Sequence, residues 1–258
     1  MAIGGSDSSG GAGVQADIKT ITMLGGYAAS AITAVTAQDT HRIHAIHRIP
    51  PALIVAQARA VLDDIGADAI KTGMLGGKAV VDALADLLAG AAIPIVIDPV
   101  MAATTGAALL DDDAIEALRA RLIPLAALLT PNAPEAERLT GLAVATTADL
   151  RRAGEALLGM GARAVLMKGG HVRGDPVIDV LMTPSGETLF SSERIATRHG
   201  HGTGCALASA CATGLAQGLD LPAAVRRAHA FVAEAIRAAP GFGGGHGPID
   251  HGWPLAPR

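Results

Sequence analysis

Short apolar runs alternate with longer stretches of helical periodicity along most of this 258-residue chain. The runs Ala28–Ala37, Ala69–Thr72, Ile93–Asp98, Ala126–Thr130 and Ala164–Lys168 are candidate strands. Between them lie helical patterns over Gln15–Leu24, Pro51–Ile65, Lys78–Leu88, Asp111–Leu122 and Ala148–Met160. A hairpin-like Val177–Phe190 follows, then two more helices over Ala206–Gln217 and Leu221–Ala238. Runs this short and this continuously apolar suit strands buried on both faces of a parallel sheet. The alternation predicts a doubly wound α/β fold, with ligands outside the carboxyl ends of the strands. No linker, repeat or low-complexity tract divides it, so one domain over residues 1–258 is expected. Half the residues are hydrophobic but only 2% are aromatic, so the core must be built from Ala, Val, Leu and Ile.

The formal net charge is −4 and no long basic run is present, which argues against nucleic acid as a partner. No apolar run approaches the ~18 residues of a membrane span, and the opening residues lack the pattern of a signal peptide. Cys205 and Cys211 are the only cysteines. On one helix they stand ~9 Å apart along the axis, too far for a disulfide. A reduced, cytoplasmic protein is the expectation.

Polar residues follow several of the candidate strands. Asp98-Pro-Val-Met follows one, Thr130-Pro-Asn-Ala-Pro-Glu135 another, and Lys168-Gly-Gly-His a third. They converge on one rim of the predicted sheet. Pro134 and Glu135 suit a helix start, and Glu135 and Asn132 equally suit a carboxylate and an amide presented to metal-bound phosphates. Lys168 reads as a phosphate contact, with an exposed, snorkelling lysine as the bland alternative.

The segment Gly4–Asp17 resembles two nucleotide-binding fingerprints and satisfies neither. Gly11 stands where a P-loop needs its lysine, and a polar loop separates Gly11–Ala16 from the strand that a dinucleotide fingerprint should follow directly. A flexible glycine loop carrying Asp7 and Asp17, suited to holding a substrate, is what remains. His41, His44 and His47 do not make a metal site, because in a strand the outer two stand ~20 Å apart and the third faces the other way. His201-Gly-Thr-Gly-Cys205 delivers backbone N–H groups to a helix start, the arrangement that holds anions, although mere helix capping gives the same pattern.

These segments resemble, in order and nearly end to end, the hydroxymethylpyrimidine/phosphomethylpyrimidine kinases of thiamine biosynthesis, within the ribokinase-like superfamily. The resemblance rests on Gly5–Asp17, Thr36–Gln38, Lys71-Thr-Gly-Met-Leu75, Ile97-Asp-Pro-Val-Met101, Leu129–Ala136, Val165–His171, His201–Cys205 and Gly245-His-Gly-Pro248. It implies a mostly parallel central sheet flanked by helices on both faces. It also implies ATP with Mg²⁺ and two successive phosphorylations of a 4-amino-2-methylpyrimidine. Carried over, Gln38 contacts the pyrimidine with a donor and an acceptor. Ala12, Met74 and Val100 surround the ring, and Asp17 belongs to the substrate side. Asn132, Lys168 and Thr203 serve ATP, while Glu135 and Asp98 serve the metal. Gly202 and Gly204 frame the anion hole, and Cys205 faces the acceptor. A helix N-terminus can tune a thiol pKa downward, which is the expectation for Cys205. A homodimer follows from the resemblance alone.

The chain departs from the family pattern in three places. The first strand is expected to be very short, weakening an edge of the fold. His199-Gly200 stands where Asn and a hydroxyl residue are frequent, and Ala206 replaces a frequent Thr or Ser. A pyridoxal or pyridoxine kinase is the nearest rival reading. A non-catalytic pyrimidine-binding protein and a dinucleotide-dependent oxidoreductase are more distant ones.

Overall fold

The computed structural model describes residues 1–103 and 106–255. One nine-stranded sheet runs through it, formed by β1 (Ala2–Asp7), β2 (Ser30–Gln38), β3 (Ile43–Arg48), β4 (Ile70–Thr72), β5 (Ile95–Ile97), β6 (Leu128–Leu129), β7 (Val165–Met167), β8 (Val177–Thr183) and β9 (Gly186–Ser192). Their spatial order is β3-β2-β1-β4-β5-β6-β7-β8-β9. The six strands from β2 to β7 are parallel, and β3, β8 and β9 are joined antiparallel at the two ends.

β4, β5, β6 and β7 are wholly buried, as continuous apolar runs between helical layers must be. Alternate residues serve opposite layers. Ile95 and Ile97 join the core under α2 (Pro51–Asp64), α3 (Lys78–Leu88), α4 (Asp112–Ala117), α5 (Ala133–Thr140) and α6 (Thr147–Gly159), while Val96 joins the core under α7 (Thr203–Ala216) and α8 (Leu221–Arg237). α1 (Gly13–Met23) packs beside α7. The near absence of aromatics is met by close approach. A Cβ on Gly214 of α7 would lie 2.7 Å from Ala224 Cβ of α8, so glycine and alanine let the two helices nearly touch.

Three expectations change. The first strand is six residues long and lies inside the sheet, paired with both β2 and β4. It is therefore a central strand and no weak edge. Its polar and glycine-rich sequence hides it from a hydrophobic-run search, because the neighbouring strands supply its hydrogen bonds. The helix expected to run to Leu122 ends at Ala117 and continues as a π turn over Leu118–Leu122 and a 3₁₀ turn over Ile123–Leu125. That widened turn buries Leu118, Leu122 and Ile123 together. The loop between β1 and α1 is pinned and not flexible: the Asp7 carboxylate accepts from Ser9 N–H and Oγ–H and from Ala12 N–H, each at 2.8 Å.

Candidate active site

The chain runs from β1 to β2 and β3 on one side, then returns to β4 on the other, so the strand order reverses between β1 and β4. Ligands bind at such reversals, outside the carboxyl ends of the strands. A cavity of about 670 Å³ opens there. Asp7, Gln38, Met74, Asp98, Asn132, Lys168 and the turn at Gly202–Cys205 all line it.

At one end a cation meets two carboxylates. Lys168 Nζ donates to Asp98 Oδ1 at 3.0 Å and lies 3.8 Å from Glu135 Oε2. Burial works against the ammonium, but Asp98 and Glu135 raise its pKa above the usual lysine value, so it stays charged. Burial pushes the Glu135 carboxyl up to about 7, with Lys168 opposing and Asp98 adding to the rise. Asp98 also accepts from Thr130 Oγ at 3.1 Å. Asn132 and Glu135 form a capping box: Asn132 N–H donates to Glu135 Oε2 at 2.7 Å, and Glu135 N–H to Asn132 Oδ1 at 2.9 Å. The helix thus uses Asn132's carbonyl, and its NH₂ remains for a ligand.

The turn before α7 requires glycine. Gly202 has φ 90°, and a Cβ there would lie 1.8 Å from Gly11 O. A Cβ on Gly204 would lie 3.4 Å from Lys168 Nζ, so backbone and ammonium share one space. The first-turn N–H groups of Gly204 and Cys205 have no acceptor within their own helix. Thr203, expected to serve ATP, spends its hydroxyl on Gly200 O at 2.7 Å.

Cys205 is half-buried and receives the Gly13 N–H at the start of α1. The expected lowering of its pKa is overturned. Burial pushes the thiol up to about 11, Lys71 opposes, and Asp17 and Asp98 add to the rise. A helix N-terminus and the nearby Lys71 both favour the thiolate, and burial outweighs them. Asp17 lines the cavity floor and has no exposed surface, its carboxylate taken by Lys71 Nζ (2.8 and 3.0 Å) and Ser209 Oγ (2.7 Å). It braces the floor.

At the other end, Met74 and Val100 pack with Ala34 and Leu109 into an apolar wall, and Ala12 caps α1. Gln38 ends β2 beside His201, whose Nε2 lies 2.8 Å from Asp7 Oδ2. His41 is exposed in the turn before β3, His47 is exposed on β3, and His44 meets Asp39 at 2.6 Å. Ala206 is buried in the α7 core.

Lys71 and His201 also shape the site, and their motifs alone assign neither a role. Lys71 had a signal: a charge in the middle of a strand buried on both faces needs a partner. His201 had none, because nothing local shows that it meets Asp7, 194 residues away.

The model of the phosphomethylpyrimidine kinase family matches residues 7–250. A hydroxymethylpyrimidine/phosphomethylpyrimidine kinase of Streptomyces coelicolor is 49% identical over 255 residues, covering 99% of this chain and 94% of its own length. A thiamine biosynthesis bifunctional protein of Geobacter sulfurreducens is 47% identical over 97% of this chain, which spans 51% of that longer protein. Among solved structures, the ADP complex of Bacillus subtilis pyridoxal kinase superposes with a TM-score of 0.90 at 34% identity, covering 97% of this chain and 96% of the other. The mostly parallel sheet and its helical layers are those of the ribokinase-like kinases, and this chain belongs to the phosphomethylpyrimidine kinase family.

Proposed function

We propose that this chain transfers the γ-phosphoryl group of ATP to 4-amino-5-hydroxymethyl-2-methylpyrimidine and then to its monophosphate, giving the diphosphate for thiamine biosynthesis. The observation that carries the reading is the meeting of Lys168 with Asp98, Glu135 and the Gly204 backbone at one end of a cavity whose other end holds Gln38. Phosphoryl transfer needs positioning and positive charge around oxygens that gain charge in the transition state. Lys168 and the free N–H groups of α7 supply both. Gln38 offers a donor and an acceptor to the ring, and Met74, Val100 and Ala12 give it apolar surfaces.

Among the described residues no group of three or more metal-ligating side chains occurs. Asp98 and Glu135 nonetheless fit Mg²⁺, which takes one or two carboxylates and completes its shell with phosphates and water. The raised pKa of Glu135, next to a second carboxylate, is the strain such a cation relieves. Bound there, Mg²⁺ would neutralise phosphate charge. Cys205 stands at the acceptor end as a neutral thiol. The alcohol acceptor has a proton to lose, whereas the second acceptor, a phosphate monoester, is already anionic.

The cytoplasmic setting rests on two free cysteines, and the homodimer on the family resemblance alone. The chain works as a single domain whose site draws on most of its strands. Mass-spectrometric product analysis with Mg·ATP and hydroxymethylpyrimidine tests the reading; detection of the diphosphate is expected, and absence of any phosphorylated pyrimidine would refute it. The likeness to a pyridoxal kinase keeps one rival in view, and parallel kinetics on pyridoxal separate the two.

A further inference from the structure

Gln38 can face a ligand in two ways, because the two ends of a carboxamide are told apart only by their partners. One end lies 3.4 Å from His201 Nε2, the other 3.3 Å from Thr36 Oγ. His201 decides between them, and Thr36 accommodates the outcome. Asp7 Oδ2 stands 2.8 Å from His201 Nε2. Hydrogen bonds hold Asp7 as a carboxylate despite its burial, with a pKa of about 2. An anionic oxygen at that distance requires the proton on Nε2, so His201 presents an N–H to Gln38 as well. Thr36 Oγ lies 3.1 Å from Ser6 O and 3.3 Å from Gln38, and its single proton can go to either; given to Ser6 O, it leaves the hydroxyl a lone pair for the amide. Gln38 therefore sets its carbonyl toward His201 and its NH₂ toward Thr36.

We propose that His201, oriented by Asp7, is the positioning residue that fixes the polarity of Gln38 and thereby decides which side of the pyrimidine ring faces the anion turn. The inference rests on the pyrimidine kinase reading above. An aminopyrimidine edge pairs an accepting ring nitrogen with a donating exocyclic amine. With the carbonyl on the His201 side, the amine lies toward His201 and the ring nitrogen toward Thr36. The hydroxymethyl group is on the ring carbon next to the amine-bearing one. It consequently falls on the side of Gly202, the residue after His201, where the phosphoryl group is to arrive. A reversed amide would turn the same ring edge the other way and carry the hydroxyl from the turn. The backbone of His201 is held to this task, donating to Gly247 O at 3.1 Å and accepting from Ile249 N–H at 3.3 Å.

A ring whose amine is replaced by an oxo group presents the reverse pattern, a ring N–H and an accepting oxygen. Wild-type enzyme should prefer the 4-amino substrate over the 4-oxo analogue by at least about tenfold in kcat/KM, the cost of one mismatched hydrogen bond. His201→Leu should narrow that preference to within about threefold while leaving the KM for ATP unchanged. His201→Gln, which keeps an N–H near the same point, should restore it. A preference as wide in His201→Leu as in wild type would overturn the proposal. A long-range ¹H–¹⁵N spectrum of the wild-type protein tests the hydrogen-bond assignment without any variant: a proton on His201 Nε2 is expected, and a bare Nε2 overturns it even if the variants do not fold. If wild type phosphorylates neither pyrimidine, the kinase reading fails by itself, and the spectrum still decides the orientation of Gln38.

Discussion

Lys71 Nζ stands 2.8 and 3.0 Å from the two carboxylate oxygens of Asp17, and neither side chain has more than 1% of its surface exposed. Burial works against the ammonium, and the adjacent Asp17 carboxylate raises its pKa above the usual lysine value. The pair joins β4 to α1, and through Ser209 to α7 one turn beyond Cys205. Removing one partner strands a buried charge, at about 3–5 kcal/mol. Lys71→Met alone should lower stability by that order in urea unfolding. Adding Asp17→Leu should recover much of the loss, because a buried pair is worth little net when both charges go.

Lys168→Ala should keep the fold and lower kcat by roughly 10²–10³, the typical loss of one preorganised charge-stabilising donor. Asp98 and Glu135 would then face each other without a cation, so ATP affinity should fall as well. Steady-state kinetics with ATP varied check both. Parent-like turnover would remove Lys168 from the phosphate site.

Gln38→Leu should raise the pyrimidine KM by about tenfold or more, from an unpaired ring edge, and leave that of ATP nearly constant. Equal KM values in parent and variant would place the ring elsewhere.

Glu135 gives the protein a pH signature. Its folded pKa, raised by burial to about 7 from the ordinary 4.5, means that the folded state binds the proton more tightly than the unfolded chain. Its stabilising contribution is full below about pH 4.5 and is lost as pH rises through about 7. Urea midpoints measured between pH 5 and pH 8 should drop more for the parent than for Glu135→Gln, which keeps an acceptor for Asn132 N–H. Identical pH trends would show that Glu135 ionises as it does in the unfolded chain.

Cys205, with its thiol held near 11, should make phosphorylation of the alcohol faster as pH rises above 8, as thiolate becomes available. The monophosphate step, whose acceptor is already ionised, should stay flat over that range. Cys205→Ala should abolish the rise. Cys205→Asp should lose the second transfer disproportionately, since a carboxylate ~4 Å from an anionic acceptor repels it by roughly 4 kcal/mol per charge pair at an effective dielectric of 20. The two rates, each with its acceptor supplied separately, decide the matter. Cys211 is fully buried and should not contribute.

The sequence by itself determined the parallel α/β architecture and the rim on which the site lies. Continuous apolar runs such as Ile95–Ile97 and Val165–Met167 can be satisfied only between two helical layers, and the polar residues after them must then emerge at one end. It also carried Gly202, whose left-handed backbone and contact with Gly11 leave no room for a side chain. Only the tertiary structure decided the rest. β1 is a central strand because β2 and β4 pair with it, a property of neighbours and not of its own glycine-rich residues. Asp17 became a brace and Cys205 a neutral thiol because desolvation depends on what packs around a group, and local sequence does not record it. His201 reads Gln38 because Asp7, far away in the chain, fixes its proton. Hydrogen-bond direction across such distances is set by the fold alone.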